Sequence, residues 1–231
     1  MQQVVQFGSE EIVYDLTFVN RKSLGISVHP DRSVSVKAPM GTPLDKIETK
    51  IRKKAPWILK QKDYFLSFEP RTPERQFVSG ETHLYLGRQY QLKIILSEEN
   101  RVKYTGRYIE VYTNDKSKVK ELLSDWYKER AKIWFDRLSK PLITRFEKYK
   151  VFPKKIEIVS MKYRWGSCSA KGRIILNPQL IQVPKACIEY VITHELCHLV
   201  HREHNQKFFD LQTREMPDWE KWKNKLENIM S

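Results

Sequence analysis

At 231 residues the chain can form one large domain or two small ones and bury a core without disulfides or a metal staple. Only three cysteines occur, Cys168, Cys187 and Cys197, with no C-x-x-C pair, which argues against a disulfide framework and a structural zinc ribbon and fits a reducing cytoplasm. Lysine and arginine number 42 against 28 acidic residues, a net charge of +14 that favours anionic substrates or nucleic acid as partners. The opening residues mix charge with short apolar runs and so lack the core of a signal peptide. No stretch approaches the ~20 apolar residues of a membrane span, so a cytoplasmic protein without membrane attachment is expected.

From Glu11 to Met40, β-branched and alternating residues with turn signals at Asn20, Gly25 and His29-Pro30-Asp31 predict a small antiparallel sheet. Leu44, Ile47 and Ile51 then fall at helical spacing in a basic stretch from Lys46 to Lys62, interrupted or kinked at Pro56. Strands resume after Pro73, where Gly87, Ser97 to Asn100 and Thr105-Gly106 divide hairpins. At about Lys116 the period changes. Val119, Leu122, Leu123, Trp126, Ile133, Trp134 and Leu138 mark a long helix to about Lys150, bent at Pro141.

Two short strands, "IEIVSM" and "RIILNP", flank "KYRWGSCSAKG", which reads as a turn segment between them, with Lys171-Gly172 as a turn and the second strand lining a cleft. Pro184 suits the first turn of a helix through Ile188, Val191, Ile192, Leu196 and Leu199. A last helix carries Trp219, Trp222, Leu226 and Ile229, with Asp218 free to cap it. No internal repeat is visible. The predicted class is α+β: a strand-rich N-terminal domain, 1–115, with one basic helix, then a helix/strand/helix/helix domain, 116–231.

The stretch "VITHELCHLVHREH" holds four of the six histidines. Positions four apart on a helix differ by only ~40° around the axis and ~6 Å along it, so His194 and His198 present both imidazoles to one point. Such a pair clamps a metal ion, and Glu195 beside it is placed to act as general base on a water the ion would acidify. Catalytic zinc wants a third protein ligand. In an unbroken helix His201 would lie ~10 Å along the axis from His194, too far to share one ion. His204 can serve only if the chain turns back after about His201.

The run "RWGSCSAKGRIILNPQLIQVP", followed by "IEYVITHELCHLVHREHNQKFF" and "MPDW", resembles the YgjP-like metallopeptidase family, which is related more loosely to SprT-like and WLM proteins. The pattern R-W-G-S-C…G-x-I-x-L-N…H-E-L-x-H-L-x-x-x-x-H-x-x-x-F is covered closely from Arg164 to Phe209. The resemblance implies a zincin-like, metal-dependent hydrolase with His194, His198 and His204 as ligands of Zn2+ and Glu195 as catalytic base. His201 falls at a variable position of the pattern. A metzincin reading fails locally, because the turn-making glycine of that pattern is replaced by His201.

Three functions follow as expectations. The first is a metallopeptidase acting on peptides or proteins. The second is a metal-dependent nucleoside triphosphate hydrolase, motivated by net charge and by eight basic residues between Lys148 and Arg173. The third is a nucleic-acid-associated protein acting on DNA-bound proteins or using the metal structurally. Cys168 follows Gly-Ser as some thiol nucleophiles do but lacks the flanking residues that chemistry uses. Arg164 is a candidate for substrate-anion binding or a structural salt bridge. Cys187, Cys197 and the helical tryptophans read as core.

Overall fold

Alternation over Glu10–Val19 places Ile12, Tyr14 and Leu16 on one buried face, as Val34, Val36 and Ala38 do in the strand Val34–Pro39. The computed structural model describes all residues except 9, 30, 67–74, 162, 163 and 231, so Pro30 and Pro73 of the expected boundaries lie outside it. Strands β1 (Gln2–Phe7), β2 (Glu10–Val19), β3 (Gly25–Val28) and β4 (Val34–Pro39) form a sheet of order β1-β2-β4-β3. It is mixed and not antiparallel. Two antiparallel hairpins pair through their second strands, which run the same way, Leu16 opposite Val36. Helix α1 (Leu44–Leu66) lays Ile47, Ile51, Ala55 and Ile58 on the buried face and continues through Pro56.

The same arrangement recurs. Strands β5 (Thr82–Tyr85), β6 (Arg88–Ile95), β7 (Arg101–Tyr104) and β8 (Tyr108–Tyr112) have order β5-β6-β8-β7, again with two antiparallel hairpins joined by a parallel pair of second strands. A helix, α2 (Val119–Phe146), again follows. The backbone thus carries a duplication that the residues do not display. Leu123, Tyr127, Ala131, Phe135, Leu142 and Phe146 recur every third or fourth position of α2 and share one core with Tyr85, Leu92, Ile109 and Val111. The chain accordingly divides into units Met1–Pro73 and Glu74–Met230, with β5 to β8 grouped with the helical part and no break at residue 115.

Beyond α2 lie β9 (Lys155–Ile158), β10 (Gly166–Cys168) and β11 (Arg173–Leu176), in a sheet of order β10-β11-β9, and helices α3 (Lys185–Val200), α4 (Gln206–Glu215) and α5 (Trp219–Met230). Helix α4 was not foreseen. Half its buried face is polar, Gln212 and Glu215 alongside Phe208 and Leu211, so its apolar period is masked. Asp218, just ahead of α5, accepts the Trp222 indole N–H at 2.6 Å. Among the described residues no helix is long and apolar enough to cross a membrane.

The β5–β6 hairpin locates α3. Leu86 and Gly87 form its two-residue turn with φ of 49° and 78°, as a type I′ turn requires. Their amides donate to the Ile181 and Gln182 carbonyls at 2.8 and 3.0 Å, just ahead of Pro184, the cap residue of α3. A Cβ at position 87 would lie 2.6 Å from Pro184 Cγ. Gly87→Ala combines this clash with an unfavourable φ and is expected to destabilise the protein by about 1 kcal/mol or more, read from the urea midpoint at constant slope.

Candidate metal centre and active site

The segment His194-Glu195-Leu196-Cys197-His198 lies in the last two turns of α3, whose apolar side, Ile188, Ile192 and Leu196, is fully buried. The helix stops at Val200, and His201 leaves it in extended backbone with φ −128° and ψ 114°. The chain then reverses without a glycine, and none of residues 201–205 has a positive φ. Asn205 ends the reversal by accepting the Phe208 amide with its side chain, which starts α4.

This reversal brings the imidazoles of His194, His198 and His204 together, their ligand atoms all within 4.8 Å of one another. His194 and His204 approach most closely, Nε2 to Nε2 at 3.0 Å. His201 is not in the cluster. Its side chain lines a separate hollow with Tyr149, Lys207, Asp210 and Arg214. Its backbone nevertheless serves the cluster, because the His201 carbonyl accepts the Nδ1–H of His198 at 3.2 Å. The Nδ1–H of His194 donates to Oε1 of the fully buried Gln212 at 2.8 Å. Both bonds fix the tautomer and leave Nε2 lone pairs for a shared cation. Phe208, fully buried, forms a floor with its ring 4.6–5.0 Å from all three imidazole centroids.

Burial pushes the imidazole of His194 down to about 4, against a smaller opposing effect of the Gln212 hydrogen bond, and lowers that of His198. Neutral imidazole is the form that ligates a metal. Burial raises the Glu195 carboxyl to about 8, with the Arg164 guanidinium pulling the other way. Glu195 Oε2 is buried with no hydrogen-bond partner. Its carboxylate rests against Gly166, where an added Cβ would lie 2.5 Å from Oε1. The glycine of the R-W-G-S-C segment is therefore needed for close approach of this side chain.

Together these groups wall a cleft of about 380 Å³, which Arg164, Ser167, Cys168, Ser169 and Arg202 also line. The segment read as a turn is instead strand β10, at the edge of its sheet, while the "RIILN" strand β11 lies in the middle. The tight turn lies at Lys171-Gly172, as expected, where the Gly172 amide donates to the Ser169 carbonyl at 3.0 Å. Cys168 is no thiolate, since burial first and Glu195 second push its thiol up to about 11. Cys187 and Cys197 are fully buried, as expected of core thiols. No carboxylate forms a salt bridge with Arg164 among the described residues.

The family model described as YgjP-like, metallopeptidase domain matches residues 22–229. The chain belongs to the YgjP-like family. No curated protein matches it. Membership makes the protein metallopeptidase-like and implies a metal cofactor, and the three-histidine cluster is a group that could hold one. Gln212, the His201 carbonyl and the Gly166 contact escape sequence reading. Each acts across 18 or more residues or through backbone, where no spacing rule applies.

The buried carboxyl of the YgjP-like protein has a measurable consequence. Unfolded, Glu195 ionises near its ordinary 4.5; folded and metal-free, it does so near 8. The folded state therefore holds the extra proton, and the stability this group supplies at low pH is lost as pH rises from about 4.5 to about 8. Glu195→Gln is expected to remove that decline, so that urea midpoints of the metal-free variant fall less with pH than those of the parent. Parallel pH profiles would show that Glu195 is not buried as described.

Proposed function

We propose that this YgjP-like protein is a zinc-dependent peptide hydrolase, with His194, His198 and His204 as metal ligands and Glu195 as general base. The observation that carries the reading is the convergence of three oriented imidazoles beside a buried carboxylate with a free oxygen. Three neutral nitrogen donors and an open side suit zinc in a catalytic setting. Zinc bound there would supply Lewis acidity, polarising the scissile carbonyl and acidifying the attacking water.

The protein's own groups do the rest. Glu195 takes the proton of the attacking water at its free Oε2 and passes it to the leaving amine. Gly166 leaves room for the carboxylate, and Gln212 and the His201 carbonyl hold two rings in orientation. Strand β10 supports a peptide over other substrates. Ser167 lies between the hydrogen-bonded positions Trp165 and Ser169 and faces β11, so the peptide groups of Gly166 and Cys168 point to the free edge. An extended chain can add to that edge and lie across the cleft. Three free thiols suit a reducing compartment such as the cytoplasm.

A second reading, hydrolysis of a phosphoanhydride, is favoured by Arg164 and Arg202 on the same cleft. A screen of peptides, denatured proteins and nucleotides with the zinc-loaded protein separates the two, and cleavage of nucleotides alone would reverse our choice. Glu195→Gln is expected to keep its zinc but hydrolyse about 10²–10⁴-fold more slowly. Measured by competition with a chromogenic chelator, His204→Ala should lose zinc, His201→Ala should retain it, and Gln212→Leu should bind about 10–100-fold more weakly. Retention by His204→Ala together with loss by His201→Ala would exchange their roles.

A further inference from the structure

We propose that the outer face of α1 is a binding site for single-stranded nucleic acid. Seen down the helix, Lys46, Lys50, Lys53, Lys54, Trp57 and Lys60 fall within about 120° of arc and span about 20 Å of its length. All six side chains are exposed, and Trp57 lies near the middle of the face with 43 % of its surface open to solvent. The three acids of the helix up to residue 63, Asp45, Glu48 and Asp63, fall on another flank, where Glu48 pairs with Arg52 at 3.1 Å. Among the described residues no carboxylate pairs with any of the five lysines.

The placement of the apolar residues identifies the ligand class. Ile47, Ile51, Ala55 and Ile58 are fully buried against the sheet, so α1 has no apolar face left to insert into a lipid surface. Exposing a single indole costs hydration and gives no internal packing. Placed among cations at three- and four-residue spacing, it matches a ligand that offers a flat π-face next to repeating negative charge. Single-stranded nucleic acid has both, and stacking on an aromatic ring combined with phosphate contacts is how such strands are held without sequence preference. An acidic polypeptide offers the charge without the ring. The corresponding helix of the second unit shows the contrast: on the exposed side of α2 the lysines are answered by acids, Lys128 by Asp125, Lys132 by Glu129 and Lys140 by Asp136.

The test uses the full chain and a fluorescein-labelled oligothymidine of about 20 nucleotides, read by anisotropy. Binding should weaken about twentyfold between roughly 50 and 200 mM salt, as expected for about three phosphate contacts on a single strand. Lys46→Glu/Lys50→Glu/Lys53→Glu should bind at least about tenfold more weakly than the parent, whereas Lys103→Glu/Lys116→Glu/Lys118→Glu, with the same change of charge, should stay within about twofold. Trp57→Ala should weaken the single strand roughly tenfold, leave a duplex of equal length unaffected, and be largely rescued by Trp57→Phe. Circular dichroism and zinc content confirm that each variant is folded. Absence of binding, equal loss in both triple variants, or no effect of Trp57→Ala would overturn the proposal. So would binding to phosphatidylserine vesicles but not to the oligonucleotide.

Discussion

The ring of Phe208 sits fully buried beneath three imidazoles, and it can do so only if α4 folds back against the end of α3. That contact organises the cleft. It brings His204 round to His194 and His198, delivers Gln212 from the next turn of α4 to His194, and leaves His201 at the bend with its carbonyl toward His198. A fully buried aromatic side chain contributes about 1.5–3 kcal/mol or more relative to exposure. The reversal is therefore secured by packing as well as by its end cap, and the polar groups gather on an apolar base.

The opposite side of the cleft is set by close approach. Gly166 lets the Glu195 carboxylate lie against strand backbone, away from water, which is why its proton is held so firmly. A cation at the imidazoles would offset that desolvation and favour the ionised, basic form. Burial alone makes Glu195 a poor base at neutral pH; burial next to a metal makes its basicity conditional on the metal being present.

Much of this was legible in the sequence. Helical spacing placed His194 and His198 on one face, excluded His201 from sharing their ion and required a bend before His204. The alternation of β2 and β4 was readable because one face of each is buried. What resisted reading has physical causes. Helix α4 hides its period behind Gln212 and Glu215, whose Oε1 atoms face His194 and Lys148 respectively. Strand β10 spans only Gly166–Cys168 and is rich in turn-forming residues, so edge pairing overrides local preference. The units divide at residue 73 and not at 115 because strand alternation does not say which core a sheet joins, and only packing with α2 groups β5 to β8 with the helices. The duplicated topology stayed hidden because it lies in which strands pair, and spacing along one strand does not reveal its neighbours.

The bend between α3 and α4 contains no glycine, and none of its residues adopts a left-handed backbone. Glycine-containing turns have more conformations open to them, and ordering such a turn around an incoming ion consumes part of the binding free energy. Here the residues that carry His204 have few alternatives, and Phe208 already fixes where they end. The third imidazole is thus preorganised. Metal capture would change the ligands' protonation and hydration far more than their positions, so its entropy should be dominated by water release, with little chain ordering to oppose it.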